Sequence, residues 1–132
     1  MKLLRKNTDY AIKALVSLAK KSGGYVSALD IANEQNIPYQ FLRRILQDLI
    51  KNGFVASKKG ANGGVKIIKN AKDIKVVDLI EIFQGNIEPC SCMLNYNLCE
   101  NREECVLRGE LEKIEVILKN EFAKLTIHKF LS

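Results

Sequence analysis

A mainly α-helical chain with a small β wing, a winged helix-turn-helix plus a long C-terminal dimerisation helix, is the fold class these 132 residues predict. Three observations carry it. Two short amphipathic segments, around Leu29–Ala32 and Phe41–Ile50, are joined by a tight Asn36-Ile37 turn, which is the helix-turn-helix pattern. Past Gly53 the helical period gives way to strand-like runs flanking Gly60-Ala61-Asn62-Gly63-Gly64, as in a hairpin. From about Glu103 to Lys124 apolar residues return at steps of three, four and seven, the spacing of helices that pair along one stripe.

Each element has its own local signals. Thr8 is the expected cap of a helix running to about Lys21, with Ala11, Ala14, Leu15 and Leu18 at helical spacing. Tyr25-Val26 reads as a short extended link, and Ser27 with Asp30 resembles a capping box opening a helix to about Gln35. Pro38 suits a first helical position, and that helix runs to Asn52 with Gly53 as a left-handed stop. Phe54–Ser57 and Val65–Ile68 are the expected wing strands, and a helix from about Val76 to Phe83 comes next. Leu107, Leu111, Ile114, Leu118 and Leu125 mark the last helix. Residues 1–84 are thus expected as the DNA-binding head, 85–105 as a cysteine-bearing loop, and 103–132 as dimerisation helix and tail.

Hydrophobic residues make up 47% of the chain, enough for a real core, and the formal net charge is +6. That balance favours polyanions, since each phosphate neutralised by Lys or Arg releases counterions. Met1 to Arg5 is basic, but Lys6, Asp9 and Lys13 interrupt the next segment. No secretory signal is expected, and no run approaches the ~18 apolar residues of a membrane span. A cytoplasmic protein is therefore expected, whose four cysteines serve as metal ligands or redox groups rather than as a disulfide frame.

On a helical wheel the helix after Pro38 divides in two. Phe41, Leu42, Ile45, Leu46, Leu49 and Ile50 form the half expected to be buried. Gln40, Arg43, Arg44, Gln47 and Lys51 form the other, with Tyr39 at its start and only Asp48 interrupting it. Planar amides and guanidinium groups pair bidentately with base edges or phosphates. A solvated helix face is the bland alternative, and the preceding helix and the lysine-bearing hairpin argue against it. The expected DNA contacts are therefore Tyr39, Gln40, Arg43, Arg44, Gln47 and Lys51 on the helix, and Lys58 and Lys59 on the wing. The glycine run lacks the Gly-Lys-Ser/Thr of a nucleotide-binding loop.

Cys90, Cys92, Cys99 and Cys105 fall within sixteen positions, the last three separated by six and five residues. Zinc modules usually show two close pairs, absent here, whereas iron–sulfur clusters are held by thiolates at looser spacing. The spacing therefore favours an iron–sulfur cluster and leaves zinc or unliganded thiols as alternatives.

Tyr10-Ala-Ile-Lys-Ala-Leu, Ile31-Ala-x-x-x-x-Ile-Pro, Leu46-x-x-Leu-x-x-x-Gly53-Phe-Val and Lys59-Gly-x-x-Gly-Gly64 precede three spaced cysteines and a long helix. In these features nearly the whole chain resembles the Rrf-two family of bacterial winged-helix regulators, the group containing IscR and NsrR. The resemblance implies a homodimer, joined by the C-terminal helix, on a roughly palindromic double-stranded DNA operator. It also implies one cluster per subunit, 2Fe–2S or 4Fe–4S, on Cys92, Cys99 and Cys105. IscR-like members place a histidine where Arg108 stands here, and His128 lies far along the chain. NsrR-like members use the aspartate of a Thr-Asp-Tyr motif from the partner subunit, and Thr8-Asp9-Tyr10 matches it. Asp9 is thus a candidate fourth ligand, although an acid in a first helical turn also simply suits the helix dipole. Cys90 is a third candidate, made awkward by its one-residue gap from Cys92.

The expected function is a transcription repressor whose DNA affinity responds, through the cluster, to redox state, nitric oxide or iron supply. The alternatives are a repressor without a cluster and, from another class, an iron–sulfur electron carrier. No enzyme is expected: the sequence shows no second cofactor motif and no Cys-His nucleophile arrangement.

Overall fold

The structure, a computed structural model, describes residues 4–21, 24–85 and 106–131. Helix α1 (Lys6–Lys20) buries Ala11, Ala14, Leu15 and Leu18, the i, i+3, i+4, i+7 stripe of a helix docked on one side. Its start differs from the expected one. Thr8 is not the cap: it lies inside the helix, fully buried, and its Oγ1 donates to Gln84 Oε1 at 2.7 Å. The same oxygen accepts the Arg5 N–H at 3.0 Å. A side chain from far along the chain therefore satisfies the N–H of the cap residue Arg5, which has no side-chain cap of its own.

Helix α2 (Ala28–Gln35) is capped by Ser27, whose Oγ accepts the Leu29 N–H at 3.2 Å. Asn36 ends it in the left-handed conformation, at φ 57°. Helix α3 (Tyr39–Lys51) begins after Pro38, which occupies the N-cap rather than the first helical position. Proline suits either place, because the helix uses neither N–H. Gly53, at φ 81°, supplies the left-handed stop that the sequence predicts. The expected buried half of α3 is too generous. Leu42, Ile45, Leu46 and Leu49 are buried, whereas Phe41 is 50% and Ile50 36% exposed. Docking covers a narrower arc than the apolar half of the wheel.

Strands β1 (Val55–Lys58) and β2 (Gly64–Ile67) pair antiparallel, from Val55↔Ile67 to Lys58↔Gly64. β1 starts one residue later than expected and β2 one earlier. Phe54 precedes β1, buried in the core, with its N–H donating to Leu49 O at 3.0 Å. The Tyr25-Val26 link docks beside β2, where Val26 and Val65 exchange two N–H···O bonds of 2.8 Å. Gly64 permits this approach. Its φ is +143°, and a Cβ there would stand 2.3 Å from Val26 O, a contact only glycine avoids.

A 3-10 turn (Ala71–Asp73) leads into helix α4 (Val76–Gln84), and after residue 105 helix α5 (Val106–Lys124) ends in a second 3-10 turn, Ile127–Phe130. Lys75 and Thr126 form an isolated bridge, with Val76 N–H donating to Leu125 O and Ile127 N–H to Ile74 O, both at 3.0 Å. This return places Ile127, a residue of the expected tail, in the main core beside Ile74 and Leu79. Each such fully buried aliphatic side chain contributes about 1.5–3 kcal/mol. α5 itself has no buried residue. Its Leu118 and Phe122, with Leu125 beyond it and Ile12 of α1, pack on Val76 and Ile80.

Candidate nucleic-acid interface

Four buried residues of α3, Leu42, Ile45, Leu46 and Leu49, fix its rotation against α1 and α2. The opposite face is thereby set toward solvent. Gln40, Arg43, Arg44, Gln47 and Lys51 are all exposed on it. Tyr39 is exposed at its start, with the Arg43 guanidinium 5.8 Å from its ring centroid. Lys58, at the end of β1, and Lys59, entering the tip, are exposed as well. The tip closes because Gly63 lacks a side chain: a Cβ there would stand 2.1 Å from Lys58 O.

Among the described residues, Arg43, Arg44, Lys51, Lys58, Lys59 and Lys66 make no ion pair. Cations without an ion pair also occur elsewhere among the described residues, at Lys6, Lys20, Lys69, Lys72, Lys75 and Lys129, but this surface gathers six of them. Lys13, Lys21, Arg108, Lys113, Lys119 and Lys124 each sit on a carboxylate. Unpaired cations on one helix face and on the adjoining hairpin suit a polyanion.

The β register shows what the sequence leaves out. Ala56 pairs with Lys66, so Lys58, two places on, shares a face of the hairpin with Lys66. Val55 and Val65 point the other way and are buried. The Lys66 and Lys58 ammonium groups lie 5.6 and 5.8 Å from the Tyr25 ring centroid. The alternation of Val65, Lys66 and Ile67 is the sequence signal for this face, but only the register shows which lysine Lys66 accompanies.

Asp9 stands in the first turn of α1, its Oδ2 3.0 Å from Lys13 Nζ and its side chain 45% exposed. Arg108, at the histidine position of IscR-like proteins, pairs with Glu112 at 3.1 Å. His128 is exposed on the last 3-10 turn. Cys90, Cys92, Cys99 and Cys105 lie outside the described residues. Among the described residues no three His, Cys, Asp or Glu side chains converge on one point. The Asp9 carboxylate is held by one half-exposed ion pair, which is worth at most about 1 kcal/mol.

A sequence profile of the Rrf2 family, described as an iron-dependent transcriptional regulator, matches residues 4–132. An HTH-type transcriptional regulator NsrR from Shouchella clausii is 28% identical over 108 residues, covering 80% of this chain and 72% of that protein. The structure of CymR, the global cysteine regulator of B. subtilis, is similar with a TM-score of 0.83 at 25% identity, over 99% of this chain and 97% of that one. IscR of T. potens is similar with a TM-score of 0.77 at 26% identity, over 99% and 86%.

Proposed function

The chain belongs to the Rrf2 family of DNA-binding transcription regulators, which are not enzymes, and from that premise we propose a homodimeric repressor whose hold on a roughly palindromic operator is set by an iron–sulfur cluster. The observation that carries the DNA-binding part is the outward face of α3. Its long polar side chains are exposed and its cations unpaired, beside a lysine-bearing wing. Tyr39, Gln40, Arg43, Arg44, Gln47 and Lys51 read or clasp the duplex, and Lys58 and Lys59 touch its backbone. Arg43→Ala or Arg44→Ala should weaken specific binding by about 1–3 kcal/mol, whereas Lys59→Ala should chiefly lower the salt slope by about one. Unchanged footprints and affinities in all three variants would overturn the assignment.

The dimer rests on α5. Val106, Leu107, Ile114 and Ile117 are 79%, 67%, 47% and 61% exposed and lie within about 100° of one another on the wheel. This stripe adjoins the Leu118 and Phe122 positions already packed on α4. The single stripe read from sequence is thus divided, Leu118 and Leu125 serving the chain's own fold and Leu107 and Ile114 being left for a second copy.

Cys92, Cys99 and Cys105 would hold the cluster, one per subunit, with Asp9 of the other subunit as fourth ligand. The family's description as iron-dependent and the loose thiol spacing support this reading. When bound, the group supplies one-electron chemistry and an iron open to small ligands. Asp9, tethered by its half-exposed pair with Lys13, would supply the carboxylate that holds the group. The protein works in the cytoplasm, and among the described residues no helix is long and apolar enough to cross a membrane. Anaerobically purified protein should be brown, with iron and sulfide in comparable amounts, and Asp9→Ala should change its spectrum. Colourless, zinc-loaded protein whose DNA binding survives thiol substitution would replace this reading with the cluster-free repressor.

A further inference from the structure

Tyr25 belongs to neither the helix-turn-helix nor the hairpin, yet it lies where both wing strands converge. The Val26↔Val65 bridge makes residues 25–27 a third, minimal strand along β2. Side chains alternate across such a sheet. Val26 therefore shares the inward face with Val65, and Tyr25 shares the outward face with Lys66 and Lys58. Tyr25 is 38% exposed, an aromatic residue left partly in water beside two cations. Lys66, from β2, and Lys58, from β1, each place an ammonium group within 6 Å of its centroid, at 5.6 and 5.8 Å, the range of a cation–π contact. Neither lysine has an acidic partner among the described residues, so two like charges are gathered on one ring without compensation. Gly64 makes the arrangement possible, since any side chain there would push the 25–27 link off the wing.

Two cations on one ring with no protein anion suit an external one, and adjacent phosphates of a duplex supply closely spaced negative charge. We propose that Tyr25 is a positioning residue for DNA binding, its ring holding Lys58 and Lys66 as a paired cation that clasps the phosphate backbone. This rests on the DNA-binding reading of α3 and the wing, and adds two residues to it, Tyr25 and Lys66. The ring acts through the lysines: it narrows their rotamer freedom before DNA arrives, so less ordering remains for the complex.

The test compares the full chain with Tyr25→Leu, Tyr25→Phe, Lys66→Gln and the Lys58→Gln/Lys66→Gln double variant. Affinity is measured across a salt series for a random-sequence duplex and for the DNA upstream of the chain's own coding sequence. Tyr25→Leu should weaken both complexes roughly threefold to tenfold, and Tyr25→Phe should leave them unchanged. Lys66→Gln should lower the salt slope by about one. In the double variant, Tyr25→Leu should add nothing. An equal loss from Tyr25→Leu with and without the lysines, or from Tyr25→Phe, overturns the proposal, as does an unchanged slope in Lys66→Gln. That last arm decides the matter even where Tyr25→Leu melts below the assay temperature. A wild-type chain that binds neither duplex removes both this inference and the reading beneath it. A wild type that binds while Tyr25→Leu binds equally well removes this inference alone.

Discussion

The head and α5 handle the same kinds of side chain in opposite ways. In the head, Leu15, Leu42 and Leu49 are fully buried while Arg43, Arg44, Lys51, Lys58 and Lys59 stand unpaired in solvent. In α5, no residue is buried and Val106, Leu107, Ile114 and Ile117 face water, yet Arg108, Lys113, Lys119 and Lys124 are neutralised by Glu112, Glu110, Glu115 and Glu121. Apolar surface in water seeks another apolar surface, and unpaired cations seek an anion. The head thus packs a core and leaves cations unpaired, while α5 pairs its cations and leaves a run of apolar residues in water. On the proposed reading, one region awaits DNA and the other a second copy of the chain.

The contrast is open to attack from either side. The largest effect should come from Leu49→Ala, which empties a fully buried site between helices and should cost about 2–5 kcal/mol in urea unfolding. A comparable cost from an exposed α5 position would break the distinction. Next, Ile117→Lys should weaken self-association by about 2 kcal/mol or more, roughly thirtyfold, in analytical ultracentrifugation, with the head still folded. A variant that stays dimeric would move the seam away from α5.

The smallest effect concerns one of the head's few ion pairs. The hydrogen bond from Lys21 holds the Glu34 carboxyl below the ordinary carboxylate range, despite opposing desolvation. A depressed carboxyl pKa adds stability that is present above the unfolded pKa and lost as pH falls through the folded one. Glu34→Gln should therefore lower the melting temperature slightly at neutral pH, and the two proteins should converge in acid. A gap that widens in acid would contradict the pairing.

Period and punctuation made much of this legible in the sequence. The α3 face and the Gly53 stop come from 3.6-residue spacing and a left-handed residue, both local. What escaped was set by distant partners. Thr8 looks like a cap until Gln84, 76 positions away, takes its hydroxyl. Ile127 looks like tail until the Lys75–Thr126 bridge returns it to the core. Phe41 and Ile50 lie on the apolar half of a wheel, but a wheel does not give the width of the docking surface. Lys66 was visible as a wing residue, and its pairing with Lys58 on Tyr25 needed the strand register. The thiols rest on spacing and kinship alone, since 86–105 lie outside the described residues.

On the proposed reading, the cysteine-bearing half decides when the reading face meets DNA. The most direct test of this claim is gel retardation of the DNA upstream of the chain's own coding sequence, by the same protein purified anaerobically and after removal of iron. Brown and colourless forms should differ in affinity at least tenfold, or about 1.4 kcal/mol, with Cys92→Ala or Cys99→Ala fixed in the colourless behaviour. Equal affinity of the two forms would contradict the claim.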